Sequence, residues 1–141
     1  AILYKTEDFS KVILEVTEGK GVDVILDFVG ANYWKKNIES LAVDGRLVLI
    51  SFLSGAKLDS TSLGPILAKR LQITGTTLKS RDLRYKTKLV KEFVRSSMDK
   101  FNQGKFYPVV HRIYDWEKVQ QAHEEMEANK NIGKIILRVT T

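Results

Sequence analysis

The 141-residue chain contains no cysteine, only two prolines and no long run of apolar residues. Without cysteine the chain can form no disulfide, no thiolate nucleophile and no cysteine-ligated zinc site. No stretch approaches the roughly 20 consecutive apolar residues that a membrane-spanning helix requires, so we expect no association with a membrane. The absence of disulfide-forming residues suits the cytosol, and we expect a cytoplasmic location.

The remaining composition is that of a soluble globular protein. Apolar residues make up 43% of the chain and charged residues 28%, which excludes disordered and fibrous classes. The length is that of one domain with enough chain for a hydrophobic core. The 23 Lys+Arg residues outnumber the 17 Asp+Glu and give a net charge of +6. This excess raises the question of an anionic partner.

Short apolar segments alternate with segments of helical periodicity. The predicted strands are residues 21–30, 46–52, 71–78 and 134–139, and the predicted helices are residues 8–18, 31–42, 81–102 and 116–128. Asp44-Gly45 is the predicted turn into the second strand, and Asp115 the predicted N-cap of the last helix. Ser80 is the predicted N-cap of the helix before it, and Gly104 the predicted stop signal. This alternation predicts an α/β fold with a mainly parallel sheet, whose ligands bind beyond the carboxyl ends of the strands.

No catalytic residue or metal site can be assigned from the motifs. The pair Gly19 and Gly21 precedes a strand, whereas a dinucleotide-binding glycine motif must follow one. There is no G-x-S-x-G motif, and the two histidines, His111 and His123, lack metal-ligand spacing. His123 lies on the apolar face of a predicted helix, where we interpret it as a packing residue.

A run of basic residues accounts for much of the positive charge. It consists of Lys79, Arg81, Arg84, Lys86, Lys88, Lys91 and Arg95. Such a run could bind the phosphates of a nucleic acid or of an anionic cofactor. However, the same helix has an apolar face, so its charges must point elsewhere, and only Tyr85 is available to stack on bases. We therefore favour a solvated helix face and do not expect nucleic acid as a partner.

Several strings carry a resemblance to the medium-chain dehydrogenase/reductase superfamily. Residues 21–30 (GVDVILDFVG) resemble its GvDvvlDxvG strand, and residues 41–48 resemble the following L-x-x-x-G-R-x-V segment. Residues 107–110, 122–127 and 132–137 match its closing pattern, in which A-H-x-x-M/L-E precedes G-K-I-V-L. The order and spacing of these strings cover nearly the whole chain.

Within that superfamily the chain is most similar to the zinc-free, NADPH-dependent quinone oxidoreductases. The strings that carry this similarity are residues 4–9, 73–81 and 126–134. The resemblance implies an enzyme that transfers hydride from NADPH to a quinone. It also implies that residues 1–141 are the C-terminal part of a Rossmann-like, doubly wound, mainly parallel nucleotide-binding domain flanked by helices, plus the C-terminal tail. The N-terminal catalytic domain and the glycine-rich turn would be absent.

The resemblance further implies a set of cofactor contacts. They are Tyr4, Val29, Gly30, Ser51, Phe52, Leu53, Ser54, Thr77, Leu78, Lys130 and Asn131. Tyr4 is expected near the ribose and phosphate on the adenosine side, and Val29 and Gly30 near the ribose and bridge. Residues 51–54 are expected to contact the nicotinamide half, although at Leu53 many relatives have a small or polar residue. The alternatives are that Val29 belongs only to the core, Gly30 only to a turn, and that Asp27 bonds to neighbouring backbone.

The resemblance also implies a homodimer in which strand 71–78 pairs with its twin at the sheet edge. The threonine-rich alternation of this strand suits an edge covered in an oligomer. By this reading the isolated chain would dimerise but show negligible quinone reduction. The alternatives from other classes are a basic nucleic-acid-binding module and a pure dimerisation module without affinity for a dinucleotide.

Overall fold

Helices and parallel strands alternate along residues 1–139, the part of the chain that the computed structural model describes. This confirms the α/β class and the parallel pairing that the sequence predicts. The chain divides into two compact units, Ala1–Asp82 and a second that begins at Leu83. Each unit has its own parallel strands.

The first unit is a three-stranded parallel sheet with its helices. Its elements are α1 (Phe9–Val16), β1 (Val22–Asp27), α2 (Trp34–Ser40), β2 (Leu41–Leu49), α3 (Gly64–Ala68) and β3 (Gln72–Gly75), with a 3-10 turn at Ala31–Tyr33 before α2. The strand order is β1-β2-β3, and both pairings are parallel. The carboxyl ends of the three strands therefore meet at one edge of the sheet.

The core of the first unit lies between β2 and α2. Leu47 of β2, Leu41 at its start and Ile38 of α2 are buried together. Ile25 and Ile73 stand opposite Leu47 in the register of the two flanking strands and pack against this cluster. Each such aliphatic side chain contributes about 1.5–3 kcal/mol when it is fully buried. These contacts fix which face of the sheet receives α2.

The boundary between α2 and β2 differs from the sequence prediction. Helix α2 ends at Ser40, and β2 starts at Leu41, so Asp44 and Gly45 lie within the strand rather than before it. Asp44 has a φ of 62°, and the register of β1 against β2 shifts between Val22 and Val24. The Asp-Gly pair thus makes an irregularity inside a longer strand, because tertiary pairing continues on both sides of it.

The second unit contains α4 (Leu83–Asn102), β4 (Val110–Asp115), α5 (Val119–Glu127) and β5 (Lys134–Arg138). Strands β4 and β5 form a parallel pair. Gly104 ends α4 as predicted: its φ is 68°, and its N–H donates to the carbonyl of Phe101 at 2.9 Å. Helix α4 starts at Leu83, three residues beyond Ser80, which is therefore not its N-cap.

The sequence correctly predicts Asp115 as an N-cap residue, but its side chain does not make the hydrogen bond expected of an N-cap. Asp115 is the N-cap residue of the 3-10 turn that leads into α5, but its side chain makes no capping hydrogen bond. Its carboxylate instead lies 3.8 Å from the guanidinium of Arg138 on the paired strand.

Among the described residues, 1–139, no helix combines the length and the apolar character that a membrane span needs.

Candidate functional site

The turn that follows β1 is organised by a buried carboxylate. Asp27, the last residue of β1, is 4% exposed. Its Oδ1 accepts the backbone N–H of Val29 at 2.8 Å, and both of its oxygens accept that of Gly30 at 3.2 Å. Asp27 is thus bonded to the neighbouring backbone. These two N–H groups are held by the protein itself and do not point at a ligand.

Gly30 is required where it stands by two features of its backbone. Its φ is 91°, a conformation that side-chain-bearing residues rarely adopt. A Cβ at this position would also lie 2.7 Å from the carbonyl oxygen of Gly55 and 3.0 Å from the ring of Phe52. The glycine therefore lets the loop after β2 pass directly over the turn after β1.

Ser54 joins these two loops. Its hydroxyl donates to the carbonyl of Val29 at 2.8 Å and accepts the N–H of Asn32 at 3.0 Å, and its own N–H donates to the same Val29 carbonyl at 2.8 Å. Val29 and Ser54, both predicted cofactor contacts, are thereby brought together. In both, however, the polar backbone or side-chain atoms hold the loops in place.

A pocket of about 500 Å³ opens at the carboxyl ends of β2 and β3. It is lined by Leu49, Ile50, Ser51, Phe52, Gly75, Thr76, Thr77 and Arg81. Three of the predicted contacts, Ser51, Phe52 and Thr77, therefore converge on one cavity. The N–H of Thr76 donates to the carbonyl of Leu49 at 2.9 Å and holds the two walls together.

The lining of this carboxyl-edge pocket has the chemistry that half a dinucleotide requires. Ile50 and Phe52 offer apolar surface to a flat ring, Ser51 and Thr77 offer hydroxyls to a ribose, and Arg81 offers a cation to a phosphate. The residues present therefore fit a nicotinamide cofactor. Arg81 was missed as a site residue because it belongs to the basic run that the sequence analysis interprets as a solvated face. Its position three residues beyond Leu78 at the end of a predicted strand was the available signal.

The other predicted contacts of the first unit lie outside that pocket lining. Leu53 and Leu78 are largely exposed, although the N–H of Leu53 donates to the carbonyl of Phe28 at 3.2 Å. Tyr4 lies in the turn of residues 4–6 and is also exposed, and residues 1–3 are not in a strand. The cofactor roles of these three residues stay predictions.

Lys130 and Asn131 belong to the second unit, in the turn between α5 and β5. The side-chain amide of Asn131 donates to the carbonyl of Gly133 at 2.9 Å, and Asn129 has a φ of 52°.

In the same unit, His123 lines a small pocket with Ala122, Met126, Ile135 and Leu137. His123 itself is exposed, so the structure does not support its interpretation as a packing residue, although its neighbours in this pocket are apolar.

The basic run mostly lies on α4. Arg84, Lys88 and Lys91 line a shallow surface depression of about 560 Å³, together with Leu83, Thr87 and Glu92. Lys88 is 3.9 Å from Glu92 one turn along the helix, and both side chains are more than half exposed. Exposed pairs of this kind contribute little to stability. No aromatic residue lines the depression.

The described residues contain no candidate cluster of metal ligands. Between Ala1 and Val139 there is no group of three or more His, Cys, Asp or Glu side chains that could hold a metal ion.

Comparison with known proteins gives consistent matches along the chain. It matches the zinc-binding dehydrogenase family over residues 1–137. It is 24% identical over 135 residues to the quinone oxidoreductase-like protein 2 homolog of Nematostella vectensis, covering 95% of this chain and 36% of that protein. The chain thus spans about a third of that relative's length.

Solved structures extend the likeness to the fold. The quinone oxidoreductase of Pseudomonas syringae pv. Tomato DC3000 superposes with a TM-score of 0.71 at 25% identity, over 98% of this chain and 42% of that one. A mycobacterial protein solved in complex with NADPH has a TM-score of 0.69 at 26% identity, over 95% of this chain and 41% of its own. The family match over residues 1–137 establishes that the chain belongs to the zinc-binding dehydrogenase family.

Proposed function

We propose that this chain forms one wall of the cofactor site in a zinc-free reductase that transfers hydride from NADPH to a quinone. The observation that carries the proposal is the pocket at the carboxyl ends of β2 and β3, where Ser51, Phe52 and Thr77 meet Arg81. Parallel α/β sheets bind their ligands at this edge. A quinone oxidoreductase and an NADPH-bound protein among the structural neighbours support the choice of substrate and cofactor.

In this proposal the residues of the chain bind and orient, and the chemistry is that of the nicotinamide, which donates a hydride when bound. Phe52 and Ile50 pack against the ring, and the hydroxyls of Ser51 and Thr77 bond to the neighbouring ribose. Arg81 neutralises phosphate charge at the pocket mouth. Asp27 and Ser54 act one step further away, because they hold the two loops from which this wall is built.

The test compares two pairs of variants by calorimetric titration with NADPH. Arg81→Gln should weaken binding about tenfold or more, since a hydrogen bond to a charged group is worth roughly 1.5–3 kcal/mol. Arg46→Gln is the matched control, because Arg46 is exposed on β2 and bonds to Gln72 rather than lining the pocket. Equal affinity in the two arginine variants would contradict the proposed phosphate contact.

The second pair of variants separates an effect in the pocket from an effect on strand β3. Thr77→Val removes a hydroxyl from the pocket, whereas Thr74→Val removes one from the strand outside it. We expect weaker NADPH binding only for the first variant, by about threefold to tenfold for one neutral hydrogen bond. A loss of affinity in both would indicate a general effect on the strand.

Turnover should need more than these residues. The chain spans about a third of its relative from Nematostella vectensis. We therefore expect the isolated chain to oxidise NADPH with quinone negligibly, as followed by the fall in NADPH absorbance. Robust quinone-dependent turnover from the chain alone would overturn this view of its role. We place the activity in the cytoplasm, on the absence of cysteine.

We further propose that β3 pairs with its twin in a homodimer. Within the described residues β3 has a strand neighbour, β2, on one side only. The N–H of Thr76 donates to Leu49 of β2, so alternation along the strand turns the N–H of Gly75 toward the open edge.

Gly75 allows a matched test of that edge. Its φ is not positive, and a Cβ there would meet nothing within 4 Å, so Gly75→Ala should be neutral. Gly75→Pro removes the outward N–H and should convert a dimer to a monomer in sedimentation velocity. Dimers of both variants would exclude pairing through this edge.

A further inference from the structure

His111 lies between helix α5 and the segment that leads into β5. The imidazole Nε2 is 3.0 Å from Oε1 of Glu125, and Nδ1 accepts the backbone N–H of Ile132 at 3.3 Å. A single side chain on β4 thus contacts both α5 and residues 129–133, the α5–β5 segment. None of the motifs in the sequence assigns His111 a role.

These two contacts determine the tautomer of the imidazole. A backbone N–H can only donate, so Nδ1 must be unprotonated to receive that of Ile132. The ring proton of a neutral histidine then lies on Nε2, where the Glu125 carboxylate accepts it. His111 therefore holds the segment only in its neutral form, with Nε2 protonated.

The carboxylate of Glu125 is fixed by more than His111. Its Oε2 accepts the hydroxyl proton of Tyr114 at 2.5 Å and lies 3.5 Å from the guanidinium of Arg112. The side chain is only 13% exposed. The Tyr114 hydrogen bond above all, and then that of His111, lowers the pKa of Glu125 below its ordinary value. Glu125 therefore remains an ionised acceptor in mildly acidic solution.

The α5–β5 segment depends on such hydrogen bonds because burial holds it poorly. Ile132 is 78% exposed, so its apolar side chain contributes little to anchoring the segment. The start and end are constrained by Asn129, with a φ of 52°, and by Gly133, which passes against the carbonyl of Val109. Between those two points, the bond from Ile132 to His111 ties the segment to β4.

We propose that His111 is a positioning residue that holds the α5–β5 segment when neutral and releases it when protonated. Because this segment carries Lys130 and Asn131, which the family resemblance implies as cofactor contacts, the inference rests on the proposed function for its effect on NADPH. Its effect on the segment itself does not depend on NADPH.

The direction of the pH effect follows from the proton on Nδ1. Protonation converts this nitrogen from acceptor to donor, so it then faces the N–H of Ile132, another donor, and the bond is lost. The charged and titratable groups that face the ring are Glu125 from α5, with Arg112 and Tyr114 of β4 on the same carboxylate. Neither Glu125 nor Arg112 offers the N–H of Ile132 a replacement for the lost acceptor.

The first test is solvent-exchange NMR of backbone amides in the chain, without cofactor. After correction for intrinsic rates, exchange at the Ile132 N–H should rise about tenfold between about pH 8 and pH 5. The N–H of Lys134, which donates to the carbonyl of Val109 at 2.8 Å, is the internal control and should not follow. Imidazole ¹⁵N shifts should show His111 protonated on Nε2 alone at the higher pH. Exchange at Ile132 that does not depend on pH, or a ring protonated on Nδ1 at the higher pH, would overturn the proposal.

Variants separate this inference from the proposed function. His111→Phe should leave the Ile132 amide in fast exchange at every pH, whereas His123→Phe, at the other histidine, should keep the wild-type pH dependence. Glu125→Gln keeps an oxygen for Nε2–H and should retain the slow exchange at high pH. If Ile132 responds as stated while NADPH affinity does not change with pH, the positioning role stands and the cofactor contacts of the segment fail. If His111→Phe and His123→Phe show the same exchange rate at the Ile132 N–H, the positioning role itself is refuted.

Discussion

Replacing Asp27 by alanine should destabilise the first unit by about 3 kcal/mol. The carboxylate is buried and accepts two backbone N–H groups, from Val29 at 2.8 Å and from Gly30 at 3.2 Å. A hydrogen bond to a charged group contributes roughly 1.5–3 kcal/mol. The bond from Gly30, which is longer and shared between both oxygens, contributes at the lower end of that range. Water can reach the half-buried Val29 and would replace part of the bond that its N–H loses. Asp27→Asn keeps Oδ1 for Val29 and should lose only about 1 kcal/mol.

Urea denaturation followed by tryptophan fluorescence measures this effect in the right unit. The chain has two tryptophans, and Trp34 lines a small cavity with Gly30 beside the turn. In a Trp116→Phe background, Trp34 alone reports the unfolding of the first unit. Asp23→Ala is the control on the same strand, because the Asp23 side chain is 79% exposed and should cost less than about 0.5 kcal/mol. If Asp27→Ala costs no more than this control, the carboxylate does not organise the turn.

Three further predictions concern contacts away from that turn. Lys69 donates at 2.8–3.0 Å to three carbonyls at the end of α2. Lys69→Met should therefore lower the free energy of unfolding, measured by urea denaturation, by about 2 kcal/mol. The control is Lys35→Met, at a side chain that is 88% exposed, which should lower it by less than about 0.5 kcal/mol. Gly133→Ala should destabilise the second unit by roughly 2–3 kcal/mol in thermal unfolding, since its φ is 95° and a Cβ would overlap the carbonyl of Val109; a neutral result would contradict the close approach. Asp8 has a pKa below 3.8, chiefly because the hydroxyl of Ser10 donates to it, so its stabilisation is present at neutral pH and is lost as the pH falls below about 4. The gap in thermal midpoint between wild type and Asp8→Ala should narrow in that acidic range, and a gap that widens there would refute the assignment.

The elements that the sequence predicts well are those in which local pattern and tertiary environment agree. The apolar run of residues 21–30 contains β1, and the glycine at 104 ends α4, because both signals act over a few residues. Strand β4 and helix α3 were not predicted. The sequence of β4, VHRIYD, has neither a continuous apolar run nor a strict alternation, and it is a strand because β5 pairs with it. Helix α3 has only five residues, too few to show a helical period.

The same division applies to the candidate site, where position was predictable and function less so. Parallel pairing brings the ends of β2 and β3 together, so Ser51, Phe52 and Thr77 could be placed at one edge from the pattern of strands alone. What the polar groups bond to could not be predicted in the same way, because it depends on loops that meet only in the fold.

Gly30 shows how much this changes the interpretation of a residue. From the sequence, a glycine after a buried strand offers its backbone to a ligand, as the resemblance implies. In the fold its N–H is bonded to Asp27, and the space beside its Cα is filled by Phe52 and Gly55. A substitution at Gly30 would thus weaken a cofactor site by displacing the loop that carries Ser51 and Phe52, even if the glycine never touched the cofactor. Loss of binding in such a variant is therefore no proof of contact. Loss in Thr77→Val but not in Thr74→Val would be stronger evidence, because Thr77 lines the pocket and Thr74 does not.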